Sequence, residues 1–215
     1  MRRHFRRGGE AMRITDIVLA SASPRRREIL TMLGIRFRAV VSGADEDVSG
    51  AASPPEYVLQ AAKRKNEAVL ARLKEEASIM PDTLIIACDT VVVYNGIVIG
   101  KPPDEPHAIL TLGMLSDSWH SVLSGLSVYY CGRTAGTVAR TEVKFRALSE
   151  AEILAYVESG EPMGKAGSYA IQQKGASFAE RIEGDFYNVV GLPIAALLEL
   201  LRSEFGIASL DIMNF

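Results

Sequence analysis

The longest apolar stretch of the chain, residues 84–99, is interrupted by Asp89 and Asn95. A helix that crosses a bilayer needs about 20 consecutive apolar residues, so this stretch is too short and too polar to span a membrane. Asn95-Gly96 between apolar residues is a strong signal for a two-residue hairpin turn. The stretch therefore predicts a strand at 83–88 and a hairpin that joins 91–94 to 97–100.

The rest of the chain alternates apolar runs with helical patterns. Its 215 residues, 48% of them hydrophobic, suffice for one domain with a substantial core, or at most for two closely joined lobes. The pattern predicts further strands at 16–20, 36–41, 120–130, 137–146 and 176–182, with an antiparallel pair around a loop at 132–136. It predicts helices at 24–34, 54–77, 104–115, 150–159 and 192–205, and a glycine-rich loop at 160–175. Strands paired both ways imply a mixed sheet with helices on it.

Three serines are predicted to cap the first turn of a helix. Ser23 suits the N-cap position because Pro24 follows it at the first helical position. Ser53 and Ser149 are each followed three residues later by Glu, which is the pattern of a capping box.

Cysteine, histidine and charge exclude several kinds of site. Cys88 and Cys131 both lie in apolar, strand-like runs, which predicts two buried thiols in a reducing compartment and hence a cytoplasmic location. The three histidines, His4, His107 and His120, do not have metal-ligand spacing. The net charge is −2, so any phosphate chemistry must come from locally clustered Lys and Arg.

The segment from Ser21 to Arg27 carries one such cluster. A strand is predicted to run into a short loop, and the loop opens a helix with Arg25 and Arg26 in its first turn. Free N–H groups and the positive end of the dipole suit an anion at a helix N-terminus, and both arginines can reach back over it. This segment therefore indicates either a phosphate site that includes Ser21 and Ser23 or an ordinary helix with a solvated basic face.

Asp89-Thr90 lies between two strongly apolar runs. Burying an unpaired carboxylate costs several kcal/mol, so a sequence rarely places one there without a partner. Asp89 is therefore either a general base or metal-bound carboxylate at a strand end, or a turn residue satisfied by backbone N–H groups.

The remaining charged candidates are four lysines and an acidic loop. Neither 96–101 nor 160–165 has the spacing of a P-loop. The ordinary explanation for each of the four lysines is a solvated position on the surface, and it is the favoured one for Lys63. The four are Lys63, Lys65, Lys101 and Lys165. The acidic loop around Glu46 either faces solvent or supplies oxygen ligands to Mg²⁺.

Taken together, these segments resemble the Maf family of nucleotide pyrophosphatases from about residue 14 to residue 201. The resemblance rests on the combined order and spacing of LASASPRR (19–26), ADED (44–47), AAKRKNEAV (61–69), ACDTVV (87–92), NG…IGKP (95–102), TEVKFRALSEAEI (141–153), EPMGKAGSYAIQ (161–172) and GDFYNVVGLP (184–193). Three positions depart from the usual pattern. Gly164 replaces an acid, Gln173 replaces a glycine, and Ser116-Asp117 replaces Ser-Gly.

The resemblance implies an α/β fold, with a mixed twisted sheet, flanking helices and two lobes around a cleft, as in the inosine triphosphate pyrophosphatases. Residues 12–215 would form a single domain of this type. Residues 1–11 would be a disordered extension, with Met12 as an alternative start. The resemblance also implies a divalent metal cation, Mg²⁺ or Mn²⁺, a nucleoside triphosphate substrate and a homodimer. Membrane and nucleic-acid partners are not expected.

The resemblance also assigns roles to residues of this chain. Asp89 matches the proton acceptor, and Glu46 and Asp89 match the metal ligands. The substrate-binding positions are Ser21, Ser23, Arg25, Arg26, Lys65, Thr90, Lys101, Lys165 and Gln172. Arg26, Thr90 and Gln172 match positions tied to base preference, and SYAIQ is similar to the branch that acts on dTTP and UTP.

The implied reaction is hydrolysis of dTTP, UTP and modified pyrimidine nucleotides to the monophosphate and pyrophosphate. The alternative is a nucleotide-binding or nucleic-acid-binding protein without turnover that regulates septum formation. An aspartate at position 89 favours the enzyme, because a binding protein has no need of a base there.

Overall fold

The computed structural model describes residues 14–44 and 51–213. The strands are β1 (Asp16–Leu19), β2 (Arg38–Ala39), β3 (Thr83–Tyr94), β4 (Ile97–Ile99), β5 (Trp119–Tyr130), β6 (Arg133–Phe145) and β7 (Ala179–Glu183). The helices are α1 (Pro24–Met32), α2 (Pro54–Glu75), α3 (Glu105–Leu115), α4 (Glu150–Glu158), α5 (Phe186–Val190) and α6 (Ile194–Phe205). Short 3₁₀ turns lie at Ala166–Ser168, Lys174–Phe178 and Ser209–Asp211.

The seven strands form one sheet in the order β2-β1-β3-β5-β6-β7, with β4 paired to β3 beyond that path. β1 is parallel to both of its neighbours, β2 and β3. The pairs β3–β4, β3–β5, β5–β6 and β6–β7 are antiparallel. Helix α2 covers one face, and α1, α3, α4 and α6 contribute to the core on the other. The predicted mixed sheet with flanking helices is therefore confirmed.

The central strand β3 differs from its prediction. It continues without a break through Asp89, which pairs with Gly125 of β5. Ile85 and Ala87 pack on the α2 side, and the alternating residues Ile86 and Cys88 pack on the opposite side. Since successive strand residues point to opposite faces, Asp89 belongs to the α2 face. Neither a strand end nor a turn, the two placements predicted for Asp89, is correct.

The two hairpins turn in the same way. Asn95 and Gly96 have φ of 49° and 78°, and Cys131 and Gly132 have φ of 46° and 78°, as type I′ turns require. The predicted hairpin at Asn95-Gly96 is confirmed. The predicted loop at 132–136 is wrong, because β6 begins at Arg133. Cys131 is consequently exposed at the turn, contrary to its prediction, whereas Cys88 is buried as expected.

Of the three serines predicted to cap a helix, one forms all of the predicted hydrogen bonds. Ser149 and Glu152 form the complete capping box at the start of α4. Ser53 accepts a bond from Glu56 N, but the Glu56 carboxylate accepts from Ala52 N and not from the cap residue. Ser23 occupies the N-cap position of α1 without a side-chain capping bond.

The remaining differences lie at element ends. The predicted strand at 36–41 is reduced to Arg38–Ala39, and the strand predicted at 176–182 begins only at Ala179. A short helix, α5, was not predicted; Asp185 caps it through a 2.8 Å bond from Tyr187 N. Within the described ranges, none of the helices combines the length and apolar composition that crossing a bilayer requires. The predicted extension at 1–11 lies outside the described residues, and the single domain at 12–215 stays a prediction.

Close packing of α2 on the sheet depends on one glycine. A Cβ added at Gly125 would lie 2.1 Å from the carbonyl oxygen of Val58, which belongs to the α2 backbone. About two turns further along the helix, the buried Asn66 donates to the carbonyl oxygens of Ser127 and Ile85. The absence of a side chain at Gly125 therefore lets α2 lie directly against β5, beside Asp89.

We expect Gly125→Ala to lower the free energy of unfolding by about 2 kcal/mol or more, because a backbone atom of α2 must move to admit the methyl group. Gly113→Ala is the matched control. Gly113 lies within α3 with nothing within 4 Å of its Cβ position, so the same exchange should stabilise by about 0.5–1 kcal/mol. Urea unfolding of both variants measures the difference. Equal effects of the two exchanges would contradict the close approach.

Candidate active site

A cleft of about 1110 Å³ lies between the loop that precedes α1, the middle of β3, and residues 163–173. Every predicted site residue within the described ranges lines it. These residues are Ser21, Ser23, Arg25, Arg26, Lys65, Asp89, Thr90, Lys101, Lys165 and Gln172. Glu46, the other predicted metal ligand, lies outside the described residues. The structure therefore brings together side chains that are up to about 150 positions apart in the chain (Ser21 and Gln172).

Lys65 and Asp89 form a buried ion pair at the floor of the cleft. The Lys65 ammonium lies 2.6 Å from Asp89 Oδ1, and the two side chains are only 7% and 12% exposed. Lys65 comes from α2 and Asp89 from β3, so the pair exists only because α2 lies close to the sheet. The explanation of Lys65 as a solvated surface residue is wrong. The Asp89 carboxylate has the partner that its burial requires.

Arg26 holds three segments of the chain together. Its Nε donates to the carbonyl oxygen of Gly191 at 2.8 Å, and its two terminal nitrogens donate to Ser21 Oγ at 3.0 Å and Thr90 Oγ1 at 3.2 Å. Thr90 Oγ1 also lies 2.8 Å from Ser124 Oγ of β5. A planar guanidinium carries five N–H donors on three nitrogens, so it reaches more widely spaced acceptors than the three donors on the single nitrogen of a lysine. The guanidinium of Arg26 is therefore engaged within the protein, although the side chain lines the cleft.

Arg25 and Lys165 place positive charge at the cleft. Burial lowers the pKa of Arg25, and the neighbouring Arg26 charge lowers it further. Burial likewise lowers the pKa of Lys165, with a smaller contribution from the charge of Arg25. Lys165 Nζ donates to the carbonyl oxygen of Glu161, which fixes its position. Cations that disfavour one another in a partly buried site are stabilised by an anion bound between them.

Residues 165–173, which carry Lys165 and Gln172, form one wall of the cleft. Gly167 N donates to the carbonyl oxygen of Gly100 at 3.1 Å. Gly167 has φ of 70°, and a Cβ there would lie 2.5 Å from Val92, so a larger residue does not fit. Gln172 is exposed within the cleft, where its amide is available as both donor and acceptor.

Two of the unusual residues are explained by their backbone. Asp117 adopts φ of 51°, and its carboxylate accepts a 2.6 Å bond from Lys144. Aspartate is among the non-glycine residues that enter the left-handed region most readily. Gln173 has φ of −122°, outside that region, so its position does not demand glycine.

His120 supports the same wall from behind. Its Nε2 lies 3.0 Å from the hydroxyl of Tyr169, and Phe145 packs against the imidazole edge-to-face. Burial lowers the pKa of His120 to about 4, so the ring is neutral at pH 7. The prediction considered His120 only as a metal ligand and excluded it. Its apolar neighbours on β5 would have indicated a core histidine.

Two acids line the described part of the cleft, Glu28 and Asp89, and only Asp89 is buried among the cations. Among residues 14–44 and 51–213, no group of three or more His, Cys, Asp or Glu side chains could hold an ion. Mg²⁺ usually takes one or two carboxylates and completes its coordination with water and substrate phosphates. A single buried carboxylate beside clustered cations therefore fits a cation shared with a phosphate substrate, and does not fit a cage built from protein ligands.

Comparison with known proteins gives consistent matches. The family model described as Maf-like protein matches residues 16–204. A Pelotomaculum thermopropionicum protein named dTTP/UTP pyrophosphatase is 45% identical over 193 residues, 89% of this chain and 97% of that protein. Relatives with the same name in Neisseria gonorrhoeae (43% identical; 88% of this chain, 94% of that protein) and Bacillus cereus (41%; 95% and 96%) match similarly. The solved Staphylococcus aureus Ham1 protein aligns at a TM-score of 0.40 and 13% identity over 60% of this chain and 71% of that chain, too weakly to support an argument.

The neutral His120 predicts a pH dependence of stability. Below its ordinary pKa of 6.5, the unfolded chain takes up a proton that the folded state excludes down to about pH 4. The stabilisation is therefore complete above pH 6.5 and is lost as the pH falls. His120→Gln keeps a partner for Tyr169 but does not titrate. We expect the loss of unfolding free energy between pH 7 and pH 4.5 to shrink by about 2–3 kcal/mol in this variant. Urea unfolding at both pH values tests this, and an unchanged loss would contradict it.

Proposed function

This chain belongs to the family of Maf-like proteins, and we propose that it hydrolyses dTTP and UTP, and modified pyrimidine nucleotides, to the monophosphate and pyrophosphate. The observation that carries the proposal is the buried Lys65–Asp89 pair at the floor of a cleft lined by further cations. The relatives named dTTP/UTP pyrophosphatase, at 41–45% identity over most of the chain, support the substrate class.

The triphosphate binds at the N-terminus of α1. Ser23 makes no side-chain capping bond, which leaves N–H groups of the first turn for phosphate oxygens, with Ser21 and Ser23 beside them. Arg25, Lys101 and Lys165 supply the positive charge along the cleft. These groups stabilise the charge that develops on the phosphoryl oxygens and on the leaving pyrophosphate.

Asp89 is the base. It orients a water molecule and accepts its proton while the water oxygen bonds to the α-phosphorus. The bond from the α-phosphorus to the oxygen that bridges to the β-phosphorus breaks, and pyrophosphate leaves with that oxygen. Lys65 balances the charge of the carboxylate and holds Oδ1, so that Oδ2 is the oxygen left for the water or a cation.

The cofactor would be a divalent cation, Mg²⁺ or Mn²⁺, which Asp89 and Glu46 would hold together with the substrate phosphates. When bound, such an ion neutralises charge on the triphosphate. Asp89 fits this role because Mg²⁺ needs only one or two carboxylates when substrate phosphates and water supply the remaining ligands.

The nucleobase of the substrate is recognised by the wall of the cleft that carries Gln172, and Arg26 and Thr90 shape the opposite side. The homodimer implied by the family, the cytoplasmic location and the lack of nucleic-acid binding are further parts of this proposal. The net charge of −2 is consistent with a substrate drawn in by local cations and with no affinity for a polyanion.

We expect the purified protein with Mg²⁺ or Mn²⁺ to release one pyrophosphate and no orthophosphate from each UTP. Asp89→Asn should lower the rate by about 10²–10⁴, because a positioned base contributes that much. Asp117→Asn is the matched control, since that exposed aspartate pairs with Lys144 outside the cleft. Separate detection of pyrophosphate and orthophosphate checks the products.

Three outcomes would contradict this mechanism. Release of orthophosphate with a diphosphate product would show that water does not attack the α-phosphorus. Activity of Asp89→Asn within a few-fold of the parent, with both proteins folded, would show that Asp89 is not the general base. Binding of UTP by the parent without turnover would favour the alternative, a regulator of septum formation that binds nucleotide only.

A further prediction concerns recognition of the nucleobase. Gln172→Ala should reduce kcat/KM for dTTP and UTP relative to GTP and ATP by about tenfold or more, because a site built to hydrogen-bond one base leaves its own groups unpaired with another. Gln60→Ala is the matched control, because Gln60 lies on α2 outside the cleft. A parent enzyme that prefers a purine, or an unchanged ranking in Gln172→Ala, would show that the base assignment is wrong.

A further inference from the structure

Tyr156 of α4 contacts the wall of the cleft from outside. Its hydroxyl accepts a 3.1 Å hydrogen bond from Ala170 N and donates a 2.9 Å bond to Glu161 Oε1. Tyr156 does not line the cleft, and its side chain is buried. Ala170 lies two residues before Gln172, so this bond fixes the backbone immediately next to the proposed base-reading amide.

Glu161 holds the other end of the same segment. Its Oε1 accepts a bond from Gly175 N at 3.0 Å, and its Oε2 accepts one from Lys174 N at 3.2 Å. Buried or partly buried backbone N–H groups need partners, and here side chains supply them at both ends of residues 170–175. The backbone carbonyl of Glu161 also accepts from Lys165 Nζ. Tyr156 and Glu161 have no catalytic role, and together they fix the segment that carries Gln172. Glu161 also fixes Lys165.

The surroundings of Tyr156 explain why a tyrosine is needed. Its ring packs edge-to-face on Phe178 at 4.8 Å, which phenylalanine would also do. The hydroxyl alone makes the contacts to Ala170 and Glu161. Burial raises the pKa of Tyr156, so the hydroxyl keeps the proton that it donates to Glu161. A Cβ at Gly175 would lie 2.8 Å from this hydroxyl, so the segment comes as close to Tyr156 as a glycine allows.

We propose that Tyr156, together with Glu161, is a positioning residue for nucleobase selection, which acts through the backbone of residues 170–175 on Gln172. The inference rests on the proposed function for the meaning of Gln172, and on the hydrogen bonds alone for the tether. A residue that only stabilised the fold would change the rates on all nucleotides alike. A positioning residue changes the ratio between them, because the triphosphate is common to every substrate and the base is not.

The test is Tyr156→Phe, which keeps the ring packing and removes the hydroxyl. We expect kcat/KM for dTTP and UTP to fall about five- to tenfold relative to GTP, the effect of one lost hydrogen bond. In the Gln172→Ala background the same exchange should not lower this ratio further, since both act through one group. Tyr94→Phe is the control, because its hydroxyl bonds to Ser118 Oγ outside the cleft.

Amide hydrogen exchange gives a readout that does not depend on activity. Tyr156→Phe should speed exchange at Ala170, and Glu161→Gln should speed it at Lys174 and Gly175, with α2 unaffected. If the parent hydrolyses no nucleotide, the proposed function fails and base selection by Tyr156 fails with it, while exchange still reports the tether. If Gln172→Ala changes the ratio and Tyr156→Phe does not, the positioning role is overturned and the function stands. Unchanged exchange at residues 170–175 overturns the tether itself.

Discussion

Lys65 and Asp89 meet at 2.6 Å with little exposure to solvent, and the architecture around the cleft follows from the need to make that contact. Neither charge is stable there alone, because an unpaired buried charge costs several kcal/mol. Asp89 lies in the middle of the central strand, so its partner must come from the helix that covers that face. Helix α2 approaches closely enough because Gly125, the residue paired with Asp89 on β5, has no side chain. A sheet that supplies a carboxylate from within a strand holds it more rigidly than a loop would.

The two consecutive arginines at the start of α1 have different roles. Arg26 directs its guanidinium into the protein, where Gly191, Thr90 and Ser21 accept its bonds. Arg25 remains half-buried at the cleft, and Arg26 adds to the positive potential around it. The sequence pattern alone does not separate these roles, because both arginines lie in the first turn and both have the reach. The separation comes from the carbonyl oxygen of Gly191, a contact across 165 residues.

Prediction from the sequence succeeded where the signal is local and failed where a partner is distant. The hairpin at Asn95-Gly96 and the capping box at Ser149 depend on neighbouring residues, and both are confirmed. Asp89 was expected at a strand end or in a turn because burying an unpaired carboxylate is costly. Its ion pair with a helix residue 24 positions earlier removes that cost and allows it within the strand. Cys131 was expected to be buried, since its apolar run does not reveal that it adopts a left-handed turn conformation. Local patterns likewise gave no signal that Tyr156 would bond to residues beyond its own helix.

The division between binding and selection follows from the chemistry of the substrates. In the proposed function, Arg25 and Lys165 bind phosphates that every nucleoside triphosphate carries, so these cations would raise affinity for all of them equally and discriminate between none. Selection must come from the part of the cleft that meets the base. Gln172 is an exposed side chain with rotatable bonds, and a group that can turn to suit a second base rejects it poorly. Its discrimination therefore depends on how firmly its backbone is held. The bonds of Tyr156 and Glu161 to the backbone on either side of Gln172 supply that restraint. Under the proposed function, selectivity would therefore depend on residues that the substrate does not contact.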